Sequence, residues 1–510
     1  MNVTGRAFVL AVGVCAPRIA APPLAAQAPQ APAVPAPAAQ ALPALELSLD
    51  DALRRALECN LDLAIDAANV EAQRARALGS WGAFDPTYSL RAAVQDREQE
   101  APSSLTGATV LEEDTQSFEG SLGLPLTSGG RFDLTFTTDN QKTNSQFSLA
   151  EVSTTDTVRL AYTQPLLRGA WRGYATSQQR LAELELLQAR ERREKLRADV
   201  ELSVRQAYWD LVGAREQESV RRLAVDLAQE QVQQNQRRLE VGVGTEVDVL
   251  QARTTLAQRE EQLLSLQTTV ANAEDALRAL VLGRAHAEPW EQTLSVWKQP
   301  LVPTTSLFDP AALEIPAAGP VLAAALSGRS ELAEQRLRIE AAEVNLARTV
   351  SELRPSLDAG LSASAFGFDG DPGEAFEKTI GFDFPTLEAS LTLSGPLRNR
   401  TALGNQRASR AELRAALLAY DKAELTVLTE VRSAVRELAH QAEAVAAAEK
   451  SVALAQRQLE AEQARYAQGL STTFQLLEFQ QQLATAMGSR TVALTALSRA
   501  QAQLLRARGA

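Results

Sequence analysis

The chain has 510 residues, with 51 Lys and Arg against 63 Asp and Glu and a formal net charge of −12 at pH 7. This acidic balance argues against a nucleic-acid-binding protein, which carries a basic surface. Aromatic residues make up only 5 %, and Ala, Leu, Gln, Glu and Arg dominate the second half, as they do in long helices and coiled coils. No apolar run approaches the roughly 18 residues of a membrane-spanning helix.

The first 28 residues are typical of a secretion signal. Arg6 precedes the apolar run 7–14, and residues 26–28 (Ala-Gln-Ala) offer a small-residue cleavage site. The cut site is not fixed by the pattern, and Cys15 leaves lipidation open as an alternative. Residues 29–45 are rich in Pro and Ala, so we expect an extended linker. Removal of the signal would leave Cys59 as the only cysteine, which excludes an internal disulfide, and we expect its side chain to be buried on a helix.

From residue 46 onward the sequence contains an internal repeat. Leu332 follows Leu63 by 269 positions, as Pro355 follows Pro86. A second block repeats at a different spacing, with four residues followed 227 positions later by identical ones: Arg238, Gly242, Thr245 and Leu250, then Arg465, Gly469, Thr472 and Leu477. Two blocks in the same order indicate a duplicated unit. The two spacings differ by 42, so the first copy holds 42 extra residues between its blocks. We predict a first repeat at 46–283, with strands in 84–166, and a second at 317–510, with strands in 355–396.

Each repeat contains one long helix with a seven-residue apolar period. Two lists give the heptad positions: Val204, Leu211, Glu218, Val225, Val232 and Leu239 in the first copy, and Val431, Leu438, Val445, Val452, Leu459 and Tyr466 in the second. A sustained heptad favours left-handed packing against partner helices. The long helices are expected at about 175–240 and 402–467. Short helices are expected at about 48–82, 246–282, 317–353 and 472–507, so that two of them laid end to end match one long helix and the chain builds four struts.

Between the helices the apolar period changes to two. The alternating segments include Phe118–Leu124, Phe132–Phe136, Val158–Tyr162, Leu357–Ala365 and Leu387–Leu393. One apolar face per strand fits either a half-buried sheet or the lipid-facing wall of a membrane barrel. The polar stretches 99–115, 140–155 and 367–380 are expected to be outer loops, and residues 128–130 (Ser-Gly-Gly) a tight hairpin turn. Two or three strand pairs cannot close a membrane barrel, so several chains would have to share one.

In these features the chain resembles the TolC-family outer-membrane efflux proteins. The resemblance rests on the segment 56–63 with its echo at 325–332, on the strand-to-helix turns at 164–166 and 395–397, and on two glycine breaks followed by D-V-L (248–250) and Q-L-L-E (475–478). It implies a mostly helical α+β fold. In such a fold duplicated helix–strand–helix units of three chains form an α-helical periplasmic tunnel, which is joined to a shared transmembrane β-barrel. It also implies that residues 284–316, with the end of the chain, form a belt around the equator of the tunnel.

The same resemblance implies function and partners. The protein would be the passive exit duct of a tripartite efflux pump or a type I secretion system in the outer membrane. It would work as a homotrimer, in contact with outer-membrane lipid, a periplasmic adaptor protein and an inner-membrane transporter of the RND, ABC or a similar class. The cargo, pump and adaptor are not identified by the sequence, and no cofactor is expected. A hairpin near 116–140 exceeds the simplest family form. Either the barrel is wider or this hairpin lies outside it, and we favour a barrel with four strands from each chain.

The two glycine breaks are expected to be the helix-to-helix turns at the periplasmic tip. In the family such turns dock the adaptor, and the residues in those places here are Val241, Gly242, Val243, Gly244 and Thr245 in the first copy, and Gly469, Leu470, Ser471 and Thr472 in the second. Glycine supplies the positive φ that ends one helix, and threonine can cap the next. A plain turn without a docking role is the alternative.

Just inside the turns, two carboxylates are candidates for a pore gate. By resemblance Asp248 and Glu478 would line the tunnel mouth, while their repeat counterparts Gln475 and Gln251 are uncharged. Three copies of each carboxylate in a constriction would favour cations and raise one another's pKa values. The alternative for Asp248 is an ordinary acid in the first turn of a helix, where the helix dipole favours it.

An enzyme is not expected. The two histidines, His286 and His440, are far apart in the sequence, and neither has a neighbouring Cys, His or acidic pair at metal-ligand spacing, so we expect solvated surface side chains. The alternative functional class is a periplasmic adaptor or coiled-coil scaffold of the cell envelope. An adaptor would show one helical hairpin between small β modules, and a scaffold would not need the alternating strands.

Overall fold

The computed structural model describes residues 44–100, 109–145, 150–283, 289–307 and 313–509. The predicted signal, almost all of the predicted linker and His286 lie outside these ranges. The helices are α1 (Leu49–Cys59), α2 (Leu61–Ser80), α3 (Arg172–Ala175), α4 (Ser177–Glu240), α5 (Glu246–Val281), α6 (Trp290–Trp297), α7 (Ala318–Gly328), α8 (Ser330–Glu352), α9 (Pro372–Ile380), α10 (Arg400–Ala467) and α11 (Thr473–Arg508). The strands are β1 (Leu45–Leu47), β2 (Thr87–Glu100), β3 (Val110–Pro125), β4 (Arg131–Thr143), β5 (Val152–Pro165), β6 (Leu301–Pro303), β7 (Ser356–Asp369) and β8 (Pro385–Ser394).

The two long helices lie where the heptads predict them. Helix α4 has 64 residues and α10 has 68, which makes each about 100 Å long at 1.5 Å per residue. Heptad positions on both helices are fully buried in two separate apolar clusters, with Val204 and Leu211 in the first and Val431, Leu438 and Val445 in the second. The sustained period of seven therefore marks the faces on which partner helices pack.

The helices are arranged as four parallel or antiparallel struts. Helices α8 and α11 both pack between α4 and α10, with α8 in the half next to the strands and α11 in the half next to the glycine turns. Helices α2 and α5 pack on α4 in the same way. The prediction that two short helices match one long helix is therefore confirmed. Among the described helices, none is both long enough and apolar enough to cross a bilayer.

Two of the predicted short helices are in fact broken. The segments predicted at 48–82 and 317–353 each consist of two helices, with extended backbone at Asn60 and at Arg329. These positions correspond in the two repeats. The Asn60 side chain caps α2 by accepting from the backbone N–H of Asp62 at 2.9 Å, and it donates to the carbonyl of Leu280 at 3.5 Å. The expectation of a buried Cys59 is wrong, since this last residue of α1 is exposed.

At the second break, a partly buried ionic cluster lies where the first repeat has the Asn60 amide. Arg329 is almost completely buried and forms ion pairs with Glu331 and Glu430. Arg506, near the end of α11, pairs with Glu331 and with Asp199 of α4. Burial opposes ionisation of Glu331, but the hydrogen bonds from the two arginines prevail and lower its pKa to about 2. The cluster thus joins α4, α8, α10 and α11 at the point where α8 and α11 meet end to end.

The long strands form one six-stranded antiparallel sheet in the order β2-β3-β4-β5-β7-β8. The preference for four strands in the sheet is therefore wrong. The hairpin of β3 and β4 is paired along its length with β2 on one side and β5 on the other. Residues 128–130 make the predicted tight turn, with Gly129 at φ +85°. The strands also extend into the polar stretches 99–115 and 140–155, and the third predicted loop, 367–380, contains helix α9.

The two faces of this sheet differ in polarity in the rows nearer the struts. One row across all six strands is apolar: Tyr88, Leu122, Leu134, Leu160, Ala363 and Leu387. The next row, on the opposite face, is polar: Ser89, Ser121, Thr135, Arg159, Ser364 and Thr386. The large side chains of the apolar row are exposed. An exposed apolar face opposite a polar one is typical of a barrel wall between lipid and an aqueous lumen.

A second, small sheet joins the start of the first repeat to the segment predicted as an equatorial belt. Strand β1 pairs in parallel with β6, with Leu45 opposite Leu301. The predicted linker therefore ends one residue too late, because Leu45 already belongs to the fold. Tyr208, near the middle of α4, is fully buried, donates its hydroxyl to the carbonyl of Leu47 at 3.0 Å and accepts from the N–H of Thr305 at 2.9 Å. The small sheet thus lies halfway along the struts.

Candidate functional site

The two glycine turns end the long helices in the same way. Gly242 and Gly469 have φ values of +80° and +75°, in the left-handed region. After α4, the N–H of Val243 donates to the carbonyl of Arg238 at 2.9 Å, and after α10 the N–H of Leu470 donates to the carbonyl of Arg465 at 2.9 Å. These are Schellman-type ends, which satisfy otherwise unpaired carbonyl groups. The predicted use of glycine for positive φ is confirmed at both places.

Each turn continues directly into a capping box that starts the next helix. At α5 the N–H of Asp248 donates to the Thr245 hydroxyl at 3.2 Å, and the Asp248 carboxylate accepts from the Thr245 N–H at 3.2 Å. At α11 the N–H of Gln475 donates to Thr472 at 3.3 Å, and its side-chain oxygen accepts from the Thr472 N–H at 3.5 Å. The predicted threonine caps are confirmed. The two repeats differ in that one box holds a carboxylate and the other an amide.

The tip exposes a group of apolar side chains. Four project from the first turn and its following helix and two from the second: Val241, Val243, Val247, Leu250, Leu470 and Phe474. Ser471 does not join them, because its hydroxyl donates to Glu462 of α10 and lies 3.0 Å from the side-chain oxygen of Gln475. At Gly244 a Cβ would lie 3.0 Å from the backbone nitrogen of Leu239, so this turn is closely packed on its own helix. The tip therefore presents an apolar surface on two rigid turns.

A tyrosine bridge connects the two long helices next to the turns. The Tyr466 hydroxyl of α10 donates to the Asn235 side chain of α4 at 3.1 Å and accepts from Gln231 at 3.3 Å. The guanidinium group of Arg238 lies 4.8 Å from the centre of the Tyr466 ring. Asn235 in turn donates to the backbone carbonyl of Asp248 at 3.0 Å. Both amides are almost completely buried.

This bridge does not follow from the heptad pattern. The pattern places Tyr466 in the apolar stripe of α10 and predicts no hydrogen bond between it and the two amides. A usable signal was present, because Gln231 and Asn235 are four residues apart and flank the apolar heptad residue Val232. Buried polar side chains in such a stripe usually have a specific partner.

The two candidate gate carboxylates lie in different surroundings. Asp248 is half-buried where the start of α5 meets the start of α11, beside a cavity of about 180 Å³ that is also lined by Tyr466 and Thr473. The hydrogen bond from the Thr245 hydroxyl, at 2.6 Å, lowers the pKa of Asp248, and this outweighs the opposing effect of burial. Glu478 is exposed on α11, where it accepts from Gln482 at 3.3 Å.

The uncharged counterparts complete the site. Gln251 lies half-buried one turn after Asp248, and Gln475 is the exposed member of the second capping box. The predicted upward pKa shift concerns carboxylates that face one another in an assembled ring, and it stays a prediction.

Within the described residues no group of three or more His, Cys, Asp or Glu side chains is placed to hold a metal ion. His440 is exposed on α10.

Solved structures with the same fold are outer-membrane channels. The chain superimposes on the outer-membrane channel OprN with a TM-score of 0.65 and 19 % identity, over 90 % of this chain and 89 % of that one. For the CmeC outer membrane channel of Campylobacter jejuni the TM-score is 0.64 at 16 % identity, with coverage of 90 % and 85 %. For the outer membrane protein VceC of Vibrio cholerae it is 0.64 at 17 % identity, with coverage of 90 % and 96 %.

Sequence comparison gives the family directly. No curated protein sequence matches the chain. The model of the family described as outer membrane efflux protein matches residues 131–283 and 321–510, which together make up more than half of the chain and include the tip turns of both repeats. The chain belongs to the outer membrane efflux protein family.

Proposed function

We propose that this protein is the passive exit duct of a tripartite efflux pump or a type I secretion system. The observation that carries the proposal is the joining of two parts in one chain. Struts of about 100 Å lead into a sheet with one polar and one exposed apolar face. A sheet of this kind suits the outer membrane, and struts of this length suit the periplasm.

The duct requires several copies of the chain. The described sheet has six strands, and its outer strands β2 and β8 each leave one edge unpaired. In lipid such an edge would expose unsatisfied backbone groups, so the sheet has to close with other copies. Three chains would supply eighteen strands, which is about the size at which barrels enclose an aqueous channel. They would also supply twelve struts for the tunnel wall.

The tip is the docking surface for a periplasmic adaptor in this proposal. Its exposed apolar side chains stand on turns held by Schellman bonds and capping boxes, so little ordering is needed when a partner binds. The adaptor would connect the duct to an inner-membrane transporter of the RND, ABC or a similar class. That transporter would supply the energy, because the duct itself only conducts.

The same tip is also the gate. Glu478 is exposed and free to face the lumen, whereas one oxygen of Asp248 is held by Thr245. In a trimer both carboxylates would surround the mouth, with Glu478 setting most of the charge selectivity. The Tyr466 bridge would hold α10 against α4 and so keep the mouth narrow. Opening would require that these hydrogen bonds break.

Reconstitution tests the proposal. Native mass spectrometry of the detergent-purified protein should give a trimer, and planar bilayers should show discrete cation-selective channels. Crosslinking in intact envelopes should then capture an adaptor and an inner-membrane transporter. A protein that stays soluble without detergent and forms no channel would refute the duct and would favour a periplasmic scaffold.

A further inference from the structure

Helix α9 connects β7 to β8 at the end of the sheet remote from the struts. It packs on β5 and β7 through Ala375 and Thr379, both fully buried, and the Thr379 hydroxyl donates to the backbone carbonyl of Asp156 at 3.3 Å. Gly367 permits this approach, since a Cβ there would lie 2.0 Å from the carbonyl oxygen of Ala375. The contact is therefore close and depends on one glycine.

The helix lies on the apolar face of the sheet. Across the ladders, Gly367 is opposite Asp156, and the neighbouring row on the same face is Phe136, Val158 and Ala365. That face continues through the exposed apolar row toward the struts. Helix α9 is thus outside the barrel wall, on the side that faces lipid, rather than in the polar lumen.

At this end of the sheet the apolar face becomes polar. The rows of Phe136 and Leu134 give way to Asp156 and Thr154 on β5, each only 2 % exposed. Asp156 Oδ1 and Thr154 Oγ1 are buried and have no hydrogen-bond partner among the described residues. Without α9 these polar side chains would stand on the lipid-facing wall, where they are unfavourable. The helix covers them.

The two edges of α9 differ in polarity, and the apolar edge lies next to the apolar part of the sheet. Phe376 points toward the apolar band, where its ring meets Phe136 edge-on at 6.0 Å, and Ile380 follows one turn later on the same edge. Both are exposed, Phe376 at 46 % and Ile380 at 59 %. On the other edge Lys378 donates to the carbonyl of Phe368 at 3.4 Å, at the outermost end of β7. One edge is apolar and faces the band, and the other is charged and faces away from it.

We infer that α9 is an interfacial helix seated in the outer leaflet of the membrane. Phe376 and Ile380 insert among the lipid acyl chains, and the edge of Glu374 and Lys378 stays in water. A short helix with one apolar and one charged edge, lying where a lipid-facing wall ends, has the geometry of an interfacial anchor. The occupant of the apolar edge is lipid because this edge continues the lipid-facing row of the sheet. The inference rests on the membrane placement of the sheet in the proposed function.

The test measures what surrounds single spin labels on the full-length protein in liposomes. Both native cysteines are replaced, and a label is placed at Ile380→Cys, at Glu374→Cys on the opposite edge, or at Leu391→Cys on the lipid-facing wall. Relaxation by oxygen, which concentrates in lipid, is compared with relaxation by a water-soluble nickel chelate. We expect the label at 380 to collide mainly with oxygen, like the label at 391, and the label at 374 mainly with nickel.

A second variant checks that the docked helix is responsible. Gly367→Ala should move α9 off the sheet and shift the label at 380 from oxygen toward nickel. Gly360→Ala on the same strand is the matched control, because the added Cβ meets only the side chain of Ser390, whose hydroxyl at 2.5 Å can rotate away. It should leave the label at 380 in lipid.

Three results would overturn the inference. The first is a label at 380 that is as open to nickel as the one at 374, and the second is a label at 380 shielded from both reagents by another protein surface. The third is an unchanged signal at 380 in Gly367→Ala. If the label at 391 is also in water, the proposed membrane barrel fails together with the anchor, whereas failure at 380 alone leaves the duct intact.

Discussion

The Tyr466 bridge gives the sharpest test of the proposed gate. In Tyr466→Phe the ring keeps its packing and its contact with Arg238, and only the hydroxyl is lost. This removes hydrogen bonds to Asn235 at 3.1 Å, Gln231 at 3.3 Å and Thr473 at 3.3 Å. Asn235 keeps two partners, the Gln231 amide at 3.0 Å and the carbonyl of Asp248 at 3.0 Å, so the substitution leaves few groups unpaired.

The size of the effect follows from these losses. A net contribution of about 0.5–1.5 kcal/mol for each hydrogen bond, reduced by the partners that remain, gives about 1–2 kcal/mol per chain in favour of the open mouth. Since about 1.4 kcal/mol is a factor of ten, the fraction of open channels should rise by about 5-fold to 30-fold for each bridge that must break when the mouth opens, where this fraction is small in the native protein.

Single-channel recording in planar bilayers measures this fraction directly. Tyr420→Phe is the matched control, because it makes the same chemical change on α10 at a tyrosine that accepts from Arg336, far from the tip. An open fraction that is unchanged in Tyr466→Phe, or that rises equally in Tyr420→Phe, would refute the bridge as a latch.

Three further predictions concern the gate, the turns and the ionic cluster. Glu478→Gln should reduce the cation preference of the channel more than Asp248→Asn does, as reversal potentials in a salt gradient will show, and equal effects would contradict the assignment. Gly242→Ala should destabilise the tip by about 1–2 kcal/mol, because an L-residue is strained at φ +80° while the added methyl meets no atom within 4 Å, and thermal unfolding together with adaptor binding will measure it. The Glu331 pKa is lowered from 4.5 to about 2, so its ionised form stabilises the fold above pH 4.5, and this stability is lost as the pH falls from about 4.5 to about 2. In Glu331→Gln the melting temperature should depend less on pH between about 4.5 and about 2 than it does in the native protein. An unchanged pH dependence would show that other groups cause it.

Periodicity predicted the helices well because each depends on many residues at once. The heptads located α4 and α10 to within two residues at all four of their ends, and the glycine breaks located both turns. The breaks at Asn60 and Arg329 were missed for a physical reason. Neither residue is itself a Gly or Pro, and both breaks are stabilised by groups from distant parts of the chain, the backbone carbonyl of Leu280 at Asn60 and the Glu430 carboxylate at Arg329.

In the sheet and at the tip, too, features that depend on residues distant in the sequence were not predicted. Alternation predicted apolar strand faces, but the number of strands in one sheet depends on ladder pairing, which local composition does not determine. Polarity alone also assigned 367–380 to a loop, although Asp371 caps a helix there through the N–H of Gly373 at 2.7 Å. At the tip the capping residues were predictable because the turn chemistry is local. The Tyr466 bridge was not, because its partners lie 231 and 235 positions away.

The third hairpin has a consequence for the width of the conduit. Twelve struts spaced by about 8–10 Å make a ring about 96–120 Å around. Strands about 4.8 Å apart and tilted by about 40° each occupy about 6.3 Å of a barrel's circumference. Eighteen strands then measure about 113 Å around, whereas twelve would measure about 75 Å. In a trimer the hairpin of β3 and β4 would therefore match the perimeter of the membrane section to that of the helical section, so that cargo meets no narrowing as it passes from one to the other.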